Sequence, residues 1–296
     1  MTYSRRRFGS LVRPALGAAV LGAVVWRVGF GPFRDGVQAV DGGALAAAAF
    51  LGAISTGCCA WRWTVIARRR GLPLSFGAAV AAYYRSVFLN LTLPGGVVGD
   101  VHRGLRHGRT AGGAGRALRA VAWERGIGQA VQLALTIAVL AALPSPVRDV
   151  VPAPARAAVV ALLALVIIVV GYRSRRRWAV VCGLAAASMV VVAANAAMFV
   201  IAARTAGISA PATRLLPLVL LAMVAMVLPS AAGWGPREGA TAWAFGAAGL
   251  GTGAGVAAAV TFGVMALAAS LPGALVFAGA WLADLAPARE GEAADA

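Results

Sequence analysis

Two apolar stretches of this sequence are interrupted by proline and glycine next to charged residues. The first interruption reads LNLTLPGGVVGDVHR (residues 89–103), and the second reads VLPSAAGWGPREG (residues 227–239). In the first, the glycines free consecutive backbone N–H groups, and a helix restarting near Val97 would point its positive end at them. With Arg103 one turn further on, these groups suit a phosphate or another anion. A glycine-rich kink with Arg103 at the membrane interface is the alternative.

The second interruption leads into a helix with charged residues in its first turn. Pro236 suits the first helical position, which places Arg237 and Glu238 directly after it. Glu238 there complements the helix dipole, and this is a sufficient structural explanation. A charged pair at membrane depth is expensive, however, so we expect both side chains to face a partner or a cavity on the substrate pathway.

A further charged pair, Glu124 and Arg125, lies near the start of an apolar stretch in AWERGIGQ. We expect Glu124 to form an ion pair with Arg103 or Arg85 that holds the first interruption together, with proton coupling as the alternative. Arg85 precedes the interruption in YYRSVFLN and could also face the cavity. Asn90 is a polar group that can bond across helices.

We predict one lipid-binding set that combines the two interruptions with the charged residues around them. Its members are Arg85, Asn90, Pro94, Gly95, Gly96, Gly99, Asp100, Arg103, Glu124, Arg125, Gly233, Gly235, Arg237 and Glu238. No catalytic residue, metal ligand or cofactor is predicted. His102 and His107 lack the acidic or histidine neighbours of a metal site, and no GxSxG, HExxH or Walker sequence supports a hydrolase or an NTPase.

Composition sets the class of protein that must position these residues. The chain has 296 residues, of which 60% are hydrophobic and 12% are charged, whereas soluble domains carry roughly a quarter charged residues. We therefore predict an all-α polytopic membrane protein with one domain (1–296), embedded over 11–284 and ending in an acidic tail (285–296). All 27 basic residues are arginines, and the net charge is +17. Their positions at the ends of apolar runs indicate topology and anionic lipid headgroups rather than nucleic acid.

The apolar runs predict six full spans, at about residues 11–30, 44–66, 118–143, 155–172, 178–203 and 254–284. Trp61, Arg62 and Trp63, followed by the arginines at 68–70, mark a cytoplasmic interface. If residues 76–94 crossed the membrane, the arginines at 103–119 would lie on the opposite side. A re-entrant hairpin removes this conflict, because protein or a water-filled cavity can surround a broken helix.

The second interruption predicts a second re-entrant hairpin, which enters from the outer face. Opposite entry is what an inverted repeat produces, and paired interruptions point to a transport site between two repeats. Both termini are then cytoplasmic. The N-terminal run after Arg5, Arg6 and Arg7 has no small-residue cleavage site, so we expect a retained signal anchor.

Several of these segments carry a family resemblance. WRW (61–63), the first interruption, the ER pair and LPSAAGWGPREG resemble the lysylphosphatidylglycerol synthase transmembrane (flippase-like) domain family, over about residues 11–284. The matching positions are Asn90, Leu93, Pro94, Gly95, Gly96, Gly99, Asp100, Arg103, Glu124, Arg125, Pro229, Gly233, Gly235, Arg237 and Glu238. The family includes the flippase half of the bacterial multiple peptide resistance factor.

The resemblance implies a bacterial cell-membrane protein that moves lipid headgroups between leaflets, with the re-entrant elements forming the cavity. Its partners would be membrane lipids with anionic or phosphate-bearing headgroups. The chain ends at Ala296, so we expect a stand-alone member without the aminoacyltransferase domain. Its cargo would be a phospho- or glycolipid made by a separate lipid-modifying enzyme.

Two other functions are compatible with the sequence. An integral-membrane glycosyltransferase acting on a lipid-linked sugar would use Asp35 and Asp41, which we place in the first external loop. Divalent-metal dependence and loss of activity on replacing either aspartate would favour this enzyme. A non-transporting scaffold for a lipid-modifying enzyme is the third possibility. We expect a transporter and not an enzyme.

The predicted topology can be tested by labelling. The arginine distribution places residues 100–119 and 173–177 in the cytoplasm and 144–154 and 204–213 outside. A single cysteine replacing Gly112 in a cysteine-free protein should react only with reagents applied from the cytoplasmic side. A cysteine within 204–213 serves as the externally labelled control. External labelling at Gly112 would contradict the first re-entrant hairpin.

Overall fold

The computed structural model describes residues 25–26, 29–93, 96–143, 145–147, 152–154, 157, 161, 175–226 and 234–294. These residues form an all-helical structure, which confirms the predicted fold class. The described helices are α1 (Gly31–Gln38), α2 (Gly42–Arg69), α3 (Phe76–Thr92), α4 (Val98–Thr110), α5 (Ala114–Ala142), α6 (Arg175–Thr205), α7 (Ala212–Ala225), α8 (Pro236–Ala247) and α9 (Thr252–Ala294).

Four of these helices are long and apolar enough to cross a membrane. They are α2, α5, the Trp178–Thr205 part of α6 and the Thr252–Gly279 part of α9, each of 28 or 29 residues, against the roughly 20 that a bilayer requires. They correspond to the predicted spans at 44–66, 118–143, 178–203 and 254–284. The predicted spans at 11–30 and 155–172 fall largely outside the described residues.

The two interruptions separate helices that are too short to span. The helices flanking the first, α3 and α4, have 17 and 13 residues, and those flanking the second, α7 and α8, have 14 and 12. At 1.5 Å per residue these are about 18–26 Å long, less than the roughly 30 Å of a hydrocarbon core. Helix order therefore reads long, short, short, long in α2–α5 and again in α6–α9. This repetition is what two related halves with a broken-helix hairpin each would produce.

Local capping sets where several helices begin. The Asp41 side chain accepts a hydrogen bond of 2.7 Å from the backbone N–H of Ala44 and so caps α2. Asp35, by contrast, lies exposed on α1. The segment predicted as a loop around these aspartates is thus largely helical, since α1 packs against α9. The Thr261 hydroxyl of α9 donates to the carbonyl of Gly36 at 2.8 Å.

Close helix approach depends on glycines at the crossings, as is typical of helix packing in membranes. A Cβ on Gly99 would overlap the Ser86 carbonyl, which shows how tightly α4 lies on α3. A Cβ on Gly273 would likewise overlap the Tyr84 carbonyl, where α9 crosses α3. Helix α3 is therefore held between α4 and α9.

Replacing Gly99 by alanine tests the first of these crossings. We expect the free energy of unfolding to fall by about 1–3 kcal/mol, as in overpacked interiors, because α4 must move away from Ser86. Gly126→Ala is the matched control, since a Cβ at Gly126 of α5 meets nothing within 4 Å. Chemical unfolding in detergent micelles measures both. Equal stability of the two variants would contradict the close α3–α4 contact.

Candidate functional site

The first interruption is closed by one asparagine that bonds across it. Asn90, near the end of α3, donates from its Nδ2 to the Asp100 carboxylate at 2.8 Å. Its Oδ1 accepts the backbone N–H of Gly99 at 2.8 Å. Ser86 adds a hydrogen bond of 3.2 Å to the other Asp100 oxygen. Gly96, with φ of +66°, supplies the left-handed turn between the helices.

Behind this turn lies a chain of five charged side chains in alternating order. Arg103 donates to Asp100 at 3.0 Å and to Glu124 at 2.9 Å. The second Glu124 oxygen pairs with Arg62, and the second Asp100 oxygen pairs with Arg125. The order is therefore Arg62–Glu124–Arg103–Asp100–Arg125, which we call the ion network. It joins α2, α4 and α5, and its three cations and two anions leave one positive charge.

Most of the ion network is out of contact with solvent. Glu124 is 0% exposed and Arg103 is 1% exposed. The Arg103 guanidinium lies 4.2 Å from the centre of the Tyr83 ring and 4.7 Å from that of Trp63, at cation–π distances. The Tyr83 hydroxyl also donates to Glu124 at 3.2 Å. Such pairs stabilise only as a complete set, because removing one partner leaves an uncompensated buried charge.

The protein itself therefore occupies the groups from which we predicted an anion site at the first interruption. Arg103 engages two carboxylates, and the N–H of Gly99 donates to Asn90. Burial raises the pKa of Asp100, on the non-spanning helix α4, but Arg125 and Arg103 outweigh that effect and its pKa lies below the usual range. This carboxylate in the first turn disfavours an anion there. Binding of an anion by these groups stays a prediction, and it requires the contacts to open.

Arg62 is the main residue of the ion network that sequence reasoning missed. We assigned it to the cytoplasmic interface with its neighbouring tryptophans, whereas it is buried and also donates to the Ser188 hydroxyl at 2.6 Å. The spacing of Arg62 from Cys59 (three residues) and from Ile66 (four residues) was a weak signal, because apolar residues lie on nearly every side of α2. Those spacings place all three on one face of a helix, and both neighbours are buried. Tyr83 was missed as well.

At the second interruption, Arg237 and Glu238 bond to each other. The Arg237 Nε donates to Glu238 at 2.9 Å, and Glu238 also accepts the backbone N–H of Gly235 at 2.7 Å. Glu238 thus caps α8, as the sequence suggested. Arg237 lies 5.3 Å from the ring centres of both Trp234 and Phe262. Gly235 has φ of +110°, a conformation suited to glycine.

Within the described residues, no hydrogen bond or ion pair joins the Arg237–Glu238 pair to the ion network. The Arg237–Glu238 pair and helix α3 of the first interruption both lie beside α9, where Gly263 faces Arg237 and Gly273 faces Tyr84. These glycines are ten positions apart, or about 15 Å along a helix. Three other predicted site residues, Pro94, Gly95 and Gly233, lie outside the described residues. A single site shared by both interruptions stays a prediction.

A cavity of about 150 Å³ lies between α2, α3, α6 and α9, next to the ion network. Its lining is mainly apolar with several polar groups: Gly52, Ser55, Thr56, Cys59, Tyr83, Tyr84, Val87, Asn195, Met198, Ala266, Ala269 and Ser270. Asn195 donates to Ser55 across it at 3.0 Å. Tyr83 lines the cavity and also bonds to Glu124, so this ring connects the cavity to the ion network.

No part of the described structure offers a ligand set for a metal. Groups of three or more histidine, cysteine, aspartate or glutamate side chains are not found there. Cys58, Cys59 and Cys182 are free thiols. The charged groups that the described site presents are guanidinium and carboxylate groups, which form strong charge-assisted hydrogen bonds.

Replacing Glu124 by glutamine tests the ion network. It leaves Arg62 and Arg103 with Asp100 as the one nearby carboxylate among the described residues, and we expect a loss of about 3–5 kcal/mol in the free energy of unfolding. Combining it with Arg62→Met removes one excess cation and should restore part of that loss. Chemical unfolding of the single and double variants measures the coupling. Losses that simply add would contradict a shared network.

Comparison with known proteins agrees with the membrane architecture. No curated protein and no solved structure matches the chain. The family model described as Lysylphosphatidylglycerol synthase TM region matches residues 10–183. The match includes α2–α5, the whole ion network and the first interruption, and it covers more than half of the chain. The protein therefore belongs to the lysylphosphatidylglycerol synthase TM region family.

Proposed function

We propose that this protein moves a lipid with a phosphate- or sugar-bearing headgroup between the two leaflets of a bacterial plasma membrane, with both of its termini in the cytoplasm. The observation that carries the proposal is the ion network at a broken helix pair. Charged side chains at membrane depth are costly and usually belong to a substrate or ion pathway. Broken helices at that depth line a cavity or are buried in protein. Family membership adds support, because it places the chain among membrane proteins of lipid metabolism.

The ion network has one end at which a headgroup can enter. The Arg125 side chain is 40% exposed, and its partner Asp100 is 7% exposed, whereas the Arg103–Glu124 pair is fully buried. An oxygen of a lipid headgroup can therefore take the place of Asp100 on Arg125 without first opening the core. Asp100 would then keep Arg103, Asn90 and Ser86 as partners, so the interruption would loosen in steps.

In this proposal the lipid passes the ion network on the side of the neighbouring cavity, which would have to widen from its volume of about 150 Å³. Tyr83 lines the cavity and bonds to Glu124, so a movement of this ring when the cavity is filled would change a contact of the ion network. We propose that the protein is a transporter and not an enzyme. The helix-capping bond of Asp41 supports this choice, because it accounts for one of the two aspartates on which a glycosyltransferase would depend. A separate enzyme would make the cargo.

Reconstitution tests the proposal. Purified protein in vesicles with fluorescent phosphatidylglycerol should expose the inner-leaflet lipid to an external quencher faster than empty vesicles do. Arg125→Ala should slow this movement about tenfold or more, since a hydrogen bond to a charged group is lost at the entry contact. Arg119→Ala is the matched control, an exposed arginine on the same helix that bonds to a backbone carbonyl.

The outcomes separate the three functions. Movement by the wild-type protein that Arg125→Ala slows and Arg119→Ala does not would support transport through the first interruption. No movement by folded wild-type protein, with either a phospholipid or a glycolipid probe, would refute transport and favour a scaffold. Metal-dependent sugar transfer in the same vesicles, abolished by Asp35→Asn, would favour the glycosyltransferase.

A further inference from the structure

Arg85 differs from the buried arginines of the two interruptions. It is 5% exposed, yet it forms no hydrogen bond or ion pair with any described residue, and its buried Nε has no partner there. Arg62, Arg103 and Arg237 each pair with a carboxylate. A buried charge is costly unless it is paired. Because no described residue pairs with Arg85, we expect an anionic ligand to do so.

Two helices pack beside the part of α3 that carries Arg85. Helix α9 closes one side, because a Cβ on Gly273 would lie 2.9 Å from the Arg85 backbone nitrogen. The neighbouring residue, Ser86, packs against Gly99, so α4 lies alongside. On α4, His102 and Arg106 are four residues apart and share one face. The Nδ1 of His102 is also buried without a partner among the described residues.

The charges that shift the pKa of His102 are all positive. Burial first, and then Arg85, Arg106 and Arg109, lower the pKa of His102 on the non-spanning helix α4. Asp100 and Glu124, the carboxylates beside the first interruption, are both engaged by the ion network. Positive charge at Arg85 and Arg106 is therefore not balanced within the described structure.

The outer face of α4 indicates the kind of anion. Val98, Val101 and Leu105 are exposed there, together with Arg106 and Arg109. A helix with exposed apolar and basic residues on one surface is typical of the membrane interface, where it contacts lipid headgroups. Basic residues at this level attract anionic lipids.

We infer that Arg85, His102 and Arg106 form a docking site for the phosphate group of a phospholipid, separate from the ion network. Arg85 and Arg106 supply positive charge, and His102 supplies a ring nitrogen for a hydrogen bond. This inference rests on the proposed transport and narrows its cargo from phospho- or glycolipids to phospholipids. The lipid would dock here before its headgroup reaches the Asp100–Arg125 contact.

Thermal unfolding of the detergent-solubilised full chain tests the site, with dioctanoyl phosphatidylglycerol as the probe. We expect this lipid to stabilise the wild-type protein, whereas dioctanoylglycerol, which lacks the phosphate, should not. Arg85→Gln should weaken the apparent affinity about tenfold or more, as expected for a hydrogen bond to a charged group. Arg106→Gln should weaken it less, because that side chain is exposed. Arg119→Gln is the control arginine on α5.

We expect both variants, Arg85→Gln and Arg106→Gln, to fold. Removing the unpaired charge of Arg85 relieves a desolvation cost, and Arg106 is on the surface. Affinity equal to that of the wild type in both Arg85→Gln and Arg106→Gln would overturn the inference. Stabilisation by dioctanoylglycerol equal to that by the phospholipid would overturn it too. Equal stabilisation by inorganic phosphate would keep the phosphate contacts but overturn the assignment to a lipid.

Vesicle measurements on the same variants keep the two proposals apart. Phosphate-dependent binding that is lost in Arg85→Gln, in a protein that moves no lipid, would uphold the docking site and refute transport. Lipid movement by the wild type, with unchanged binding in Arg85→Gln and Arg106→Gln, would uphold transport and refute the docking site.

Discussion

The pairing of Arg103 with Glu124 is the constraint on which the first half of the structure depends. Both side chains are buried. Their contact joins α4 to α5, and the pairing of Glu124 with Arg62 adds α2. Neither charge has water as an alternative partner. Asp100 bonds to Arg103 and to Asn90, so the turn at the interruption is held from the same centre. Helix α4 is thus positioned by charge as well as by apolar packing.

The two interruptions use similar chemistry in different ways. At the first, the carboxylates accept from arginines on several helices, which makes the turn part of a tertiary network. At the second, Glu238 serves its own helix start and the adjacent Arg237, which lies between two aromatic rings. A local change at the protein surface near the first interruption would therefore be transmitted through the network to three helices. Helix α9, with glycines facing both places, is the element that the two halves share.

Sequence patterns predicted the interruptions, four of the long helices and an ion pair of Glu124 with Arg103 or Arg85, because proline, glycine and charge are conspicuous in apolar surroundings. In the structure the partner is Arg103. The patterns did not predict the inward direction of Arg62. Helices α2 and α5 are apolar on nearly every side, so periodicity gave little guidance on which face is buried. Nor could they show that Asn90 takes up the N–H of Gly99, since that depends on how α3 and α4 meet across the turn. Nor could they show that Arg103 engages Asp100 and Glu124 at the same time, so that anion binding by Arg103 stays a prediction that requires these contacts to open.

The uneven count of charges in the ion network has an electrical consequence. Three guanidinium groups face two carboxylates, so the ion network shared by α2, α4 and α5 carries one elementary charge. Moving such a charge across the whole membrane potential is worth about 2.3 kcal/mol per 100 mV. A bound headgroup with a single negative charge would cancel it. The network with such a headgroup bound would be electrically neutral, whereas the empty network would feel the membrane voltage.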